Sequence, residues 1–160
     1  MAALENVRQF SKVLTMKKLK NIFEIYLSYQ TSKYAKKSNI KGLPFSISIE
    51  PTTSCNLRCP ECPSGLRSFT RPTGMLQNDM LKHIIDELED YLVYLNFYFQ
   101  GEPYLNKNFL EYVAYASKKN IYTSTSTNAH YLNEKTAIDT VKSGLNRLII
   151  SIDGTSQETY

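Results

Sequence analysis

A chain of 160 residues that is 42% hydrophobic and 21% charged has the apolar material for one packed core, and its composition excludes a disordered tail, a collagen-like fibre and a membrane bundle. The net charge of +4 is too small to mark a nucleic-acid binder, yet it is unevenly spread: residues 1–44 carry nine Lys or Arg against Glu5 and Glu24, and the remainder is mildly acidic. No apolar run of signal-peptide length opens the chain. The longest apolar stretch, residues 92–99, is interrupted by Asn96 and falls far short of a membrane span.

In chain order, Val13, Met16, Leu19, Phe23, Tyr26 and Tyr29 recur at three- and four-residue intervals. That spacing predicts one helix over 11–35 with an apolar stripe and a lysine-rich back. Residues 36–44 read as a linker broken by Gly42 and Pro44. Residues 45–50 alternate with period two and predict a strand, followed by a long Pro-, Ser-, Thr- and Gly-rich loop over 51–74. Asn78 or Asp79 is placed to cap a helix whose Leu81, Ile84, Ile85, Leu88 and Tyr91 share one face. A second strand is expected over 92–99, then a helix capped by Asn108 that buries Phe109, Leu110, Val113 and Ala116. A Thr- and Ser-rich third strand spans 122–128, a helix capped by Asn133 runs through Val141 to Gly144, and a fourth strand covers 148–152. The alternation β-α-β-α-β-α-β implies an α/β fold with parallel strands and helical crossovers, in which loops at the carboxyl ends of the strands carry the chemistry.

Cysteine is confined to Cys55, Cys59 and Cys62, a C-x3-C-x2-C triplet in the loop after the first strand. An odd count within eight residues is a poor disulfide framework and points to reduced thiols in a cytoplasmic protein. Three thiolates at one loop suit an iron–sulfur cluster better than zinc, because a closed zinc site takes four ligands and no fourth cysteine exists. A [4Fe–4S] cubane held by three cysteines leaves one iron open to a ligand. Zinc completed by an unseen ligand, in a non-catalytic binding module, is the alternative, as is a plain iron–sulfur electron carrier.

Cys55, Cys59 and Cys62 after the first strand of a β/α repeat resemble the signature of the radical S-adenosylmethionine (SAM) superfamily, over about residues 45–160. The resemblance implies a partial (β/α)6 barrel. It also implies a cluster whose open iron is chelated by SAM, and reductive cleavage of SAM to a 5′-deoxyadenosyl radical that takes a hydrogen atom from substrate. Gln100-Gly101-Glu102-Pro103 is similar to the family's Gly-Gly-Glu-Pro turn, with Gln100 in place of the first glycine, and so implicates Gly101, Glu102 and Pro103 in holding the SAM ammonium. Thr127-Asn128-Ala129 resembles a Thr-Asn-Gly ending, with Asn128, Ser124 and Ser126 as candidate ribose or carboxylate contacts. Ser151-Ile152-Asp153-Gly154 resembles the family's Ser-x-Asp-Gly, placing Ser151 and Asp153 near the SAM ribose. One departure is Glu61, where relatives commonly carry an aromatic residue beside adenine.

The motifs look most like the branch that carries a C-terminal SPASM or twitch auxiliary-cluster domain, whose members often modify peptides or proteins. The expected organisation is a basic helical segment and linker over 1–44, then the N-terminal portion of a core domain over 45–160 that continues past Tyr160. Expected partners are SAM, a peptide or small-molecule substrate, and a reductant such as flavodoxin or ferredoxin. Arg58, Arg67 and Arg71 around the cysteine loop are placed to offset cluster charge or to dock an acidic reductant. RNA binding by the basic leader is the weaker alternative.

Overall fold

The computed structural model describes residues 2–152, 154 and 156. Two helices open it, α1 (Ala2–Val13) and α2 (Met16–Ala35), where the sequence predicts one. The break is local chemistry: Thr15 is extended and its hydroxyl accepts from the Lys18 amide at 3.3 Å, so the second helix starts on its own cap. The expected burial is also inverted. Phe23, Tyr26 and Tyr29 are exposed, and Met16 is 81% exposed, while Lys18, Asn21 and Ser28 are buried. The buried polar groups are satisfied by backbone. Lys18 Nζ donates to the Asn120 carbonyl at 2.6 Å, and Asn21 both donates to and accepts from the Leu43 peptide at 2.8 Å. Burial pushes the Lys18 ammonium below its ordinary pKa, with Asp90 and Glu89 acting against it.

The body is a four-stranded parallel sheet in the order β1 (Ser46–Ser48), β2 (Tyr94–Asn96), β3 (Tyr122–Thr127), β4 (Arg147–Ile150), as the alternating pattern implies. Its register aligns Ile47 with Leu95, Leu95 with Thr123, and Thr125 with Leu148. Between the strands lie α3 (Pro63–Leu66), α4 (Asn78–Leu88), a 3-10 turn over Pro103–Leu105, α5 (Phe109–Lys118) and α6 (Glu134–Lys142). The second strand is shorter than expected because the Asn96 side chain takes the Tyr98 carbonyl at 3.0 Å and the chain bends away. Helix α4 begins at Asn78 itself, after Gln77, whereas Asn133 caps α6 as predicted in a reciprocal box with Thr136. Gly144 ends α6 in a left-handed conformation, φ +81°.

One face of the sheet packs Leu95 and Phe97 against Leu81 and Ile85 of α4 and Phe109, Val113 and Ala116 of α5, all almost fully buried. Leu110 is only partly buried, and Tyr112 takes the place expected for it. The opposite face is floored at its amino end by α1. Phe10 packs on Tyr122 and Tyr94 with ring centroids 4.9 and 6.2 Å apart, and the Tyr122 hydroxyl reaches Asn6. The hydroxyl-rich third strand divides by face: Thr123, Thr125 and Thr127 bond Asn146, the Phe97 carbonyl and Glu102 on the helix side, while Tyr122, Ser124 and Ser126 look the other way. The four carboxyl ends lead into the cysteine loop, the Gln100–Glu102 turn, Asn128 and Ser151.

Substituting Ile85→Ala empties a site with no solvent exposure and is expected to cost about 2–5 kcal/mol in chemical denaturation. Met80→Ala, on the exposed side of the same helix, is expected to stay within about 0.5 kcal/mol.

Candidate functional site

The site is built around a contact that only glycine allows. Gly101 has φ +80°, and a Cβ there would collide with the carbonyl oxygens of Thr52 and Ser54. The next amide, of Glu102, donates to Ser54 O at 2.8 Å, so the turn after β2 is pressed flat against the start of the cysteine loop. Glu102 is 2% exposed, and its carboxylate is held from the third strand. Oε1 accepts from the Thr127 hydroxyl at 2.8 Å and the Tyr104 amide at 3.2 Å, and Oε2 accepts from the Asn128 amide at 2.9 Å. Three of its four lone-pair positions are thus used within the chain, leaving one on Oε2 for a ligand. Pro103 is buried and starts the 3-10 turn that closes this segment.

The cysteine loop is shaped by close backbone contacts. The Cys62 amide donates to Cys59 O at 3.3 Å, and Cys62 then precedes α3, whose Pro63 stands at the first helical position. Gly65 lies so near the Cys59 peptide that a Cβ would overlap both its nitrogen and its oxygen. Cys55 Sγ accepts from the Leu57 amide at 3.4 Å and from Asn128 Nδ2 at 3.9 Å, and Asn128 also bonds the Asn56 side chain. Burial pushes the Cys55 thiol up; the Leu57 N–H opposes this, and the nearby Glu102 carboxylate adds to it. Gln100 Oε1 accepts from Ser64 Oγ at 2.9 Å and from Cys62 Sγ at 3.5 Å, and Ser64 Oγ accepts from the Gly101 amide at 3.0 Å.

These elements surround a cleft of about 240 Å³. Cys55, Cys59 and Cys62 line it together with Gly101, Glu102, Ser126, Asn128 and Ser151, and Ser126 and Ser151 hydroxyls stand 3.2 Å apart across the two strands. Ser124 does not reach it. That residue is fully buried beneath, bonded to Tyr94 and to Asn96 Oδ1 at 2.7 Å. Asp153 lies outside the described residues. Tyr98, Phe99 and Leu57 also line the cleft, and sequence reading missed them because 98–99 looked like strand interior. The available signal was a pair of aromatics immediately before Gln100-Gly101-Glu102. Phe99 is 73% exposed, so it is a wall of the cleft and not part of the core. Glu61, by contrast, is exposed away from these contacts.

A second cavity of about 300 Å³ shares Cys55 and is lined by Ser54, Ser64, Arg67 and Arg71. Arg71 is committed to Glu50 at 2.8 Å and to the ring of Phe69. The larger groove, about 670 Å³ between α2 and the linker, contains none of the cysteine-motif residues.

Among the described residues no three His, Cys, Asp or Glu side chains are placed to hold a single metal ion. A cubane cluster differs from a single ion in taking each thiolate on a different iron, so its cysteines surround the cluster and need not converge on one point. The donor set, three thiols on one cleft with no fourth cysteine, fits such a cluster with one iron left open.

Residues 49–160 match the family described as the Radical SAM superfamily. The AdoMet-dependent heme synthase of Methanosarcina barkeri is 31% identical over 117 residues, 73% of this chain and 33% of its own. The PqqA peptide cyclase of Bradyrhizobium diazoefficiens is 29% identical over 116 residues, 72% of this chain and 30% of its own. The chain thus spans about a third of the length of these relatives. Among solved structures, BtrN in complex with AdoMet and 2-DOIA superposes with a TM-score of 0.59 and 25% identity, covering 69% of this chain and 46% of that one. Fold, cysteine spacing and a family match running over residues 49–160 agree, and the chain belongs to the radical SAM superfamily.

Proposed function

We propose that this protein is a radical SAM enzyme in which Cys55, Cys59 and Cys62 bind a [4Fe–4S] cluster and the adjoining cleft binds SAM. The observation that carries this reading is the shared cleft: the three thiols, the glycine turn and the polar ends of β3 and β4 line one space. When bound, the cluster supplies the electron that splits SAM into methionine and a 5′-deoxyadenosyl radical able to abstract hydrogen from substrate.

The chain's own residues divide the work of holding SAM. Gly101 lets backbone acceptors approach the ammonium, and Glu102 offers its remaining lone pair beside them. Ser126, Asn128 and Ser151 give the ribose and carboxylate a polar wall. Tyr98 and Phe99 supply the aromatic surface for adenine that Glu61 does not. Pro103 and Ser124 act as supports, one fixing the turn and the other bracing the sheet beneath the cleft.

Residues 45–160 form the first portion of the core domain and residues 1–44 its basic leader. The substrate we favour is a peptide or protein, in line with the PqqA peptide cyclase among the relatives and with the SPASM or twitch branch that the motifs resemble. Arg58 and Arg67 beside the cysteine loop suit docking of an acidic flavodoxin or ferredoxin in the cytoplasm, where the thiols stay reduced. No helix among the described residues is long and apolar enough to cross a membrane.

Electron paramagnetic resonance of the anaerobically reconstituted, dithionite-reduced full-length protein tests the reading. A [4Fe–4S]⁺ signal that shifts on adding SAM is expected, and a protein that takes up zinc but no iron and sulfide sinks it. Each of Cys55→Ala, Cys59→Ala and Cys62→Ala is expected to lose the signal and to bring 5′-deoxyadenosine formation below detection. Gly101→Ala drives a methyl group into the Thr52 carbonyl and is expected to weaken SAM binding by about tenfold or more, roughly 1.4 kcal/mol. Unchanged SAM affinity in that variant removes Gly101 from the binding role.

A further inference from the structure

We propose that Gln100 donates a hydrogen bond to the Cys62 thiolate and thereby sets the reduction potential of the cluster. This rests on the cluster reading above and adds a positioning residue to it. Gln100 stands where the motif resemblance expects glycine, so it brings a long polar side chain to a place that otherwise has none. That side chain is not spread over solvent. Its Oε1 lies 3.5 Å from Cys62 Sγ and 2.9 Å from Ser64 Oγ, at the junction of the cysteine loop and the Gly101 turn.

With Cys62 as a thiol, the S–H and the Ser64 O–H both donate to this one oxygen. A thiolate on iron has no hydrogen to give, and a carbonyl oxygen facing it meets like charge. Turning the amide over exchanges Oε1 for Nε2 with almost no change of shape. The two N–H groups of Nε2 then match the two neighbours, one for the Cys62 sulfur and one for Ser64 Oγ. Ser64 keeps its acceptor role toward the Gly101 amide and can turn its own hydrogen into the adjoining cavity that it lines.

Cys55 already receives the Leu57 and Asn128 N–H groups, so the Gln100 amide gives Cys62 a donor of the same kind. A hydrogen bond to a ligating sulfur spreads the cluster's negative charge and favours the reduced state, which raises the potential.

The test is an EPR-monitored potentiometric titration of the full-length protein without SAM, comparing wild type with Gln100→Gly and Gln100→Met. Iron and sulfide are counted first. Both variants are expected to hold the wild-type complement and to be half-reduced at a more negative potential, the Met variant showing that lost bulk is not the cause. A full cluster with an unmoved or more positive midpoint overturns the inference while leaving the cluster reading standing. Loss of iron from both variants makes Gln100 a structural prop of the loop and overturns it too. A wild-type protein without a cluster overturns the reading itself.

Discussion

The missing side chain at Gly101 is the constraint on which the rest of the site depends. Because nothing projects from its Cα, the turn after β2 sits directly on the carbonyls that lead into the cysteine loop. That contact brings Gln100 within reach of Cys62 and Ser64, and it sends Glu102 inward to the end of β3. Three chain segments far apart in sequence are thereby joined through backbone and short side chains. A buried carboxylate is costly unless its oxygens are satisfied, and Glu102 meets that condition with a hydroxyl and two amides. The acid is as much a rivet between strands as a candidate contact for a ligand.

Much of this is legible in the sequence. Strands and helices were marked by periodicity, Asn133 and Gly144 announced the ends of α6, and parallel order followed from alternation. The three cysteines and the Gly101, Asn128 and Ser151 positions were legible because each motif ends a strand, and a parallel sheet gathers such ends in one place. Local pattern could not tell which face of β3 its hydroxyls would serve. Ser124 and Ser126 are two residues apart on one face, yet one is sealed beneath by Tyr94 and Asn96 while the other reaches the cleft.

Helix α2 misled for a related reason. Amphipathic reading assumes that apolar residues seek the core, but Lys18 and Asn21 find unpaired backbone groups at Asn120 and Leu43 and turn the polar face inward. Those carbonyl and amide partners lie 102 and 22 residues away in sequence, beyond any window used to judge periodicity. The same long-range bond ties the basic leader to the loop before β3.

The aromatic layer under the sheet has a geometric consequence. Phe10, carried by α1, stacks on Tyr94 and Tyr122 at the amino end of the face whose carboxyl end holds the cleft. Between that cleft and the Phe10 ring lies the buried Ser124, held by Tyr94 and Asn96. The face is thereby filled at its amino end by side chains, and the space open to a guest lies toward the carboxyl ends of the strands. Part of the floor beneath the cleft is therefore laid by α1, a helix from outside the cysteine motif.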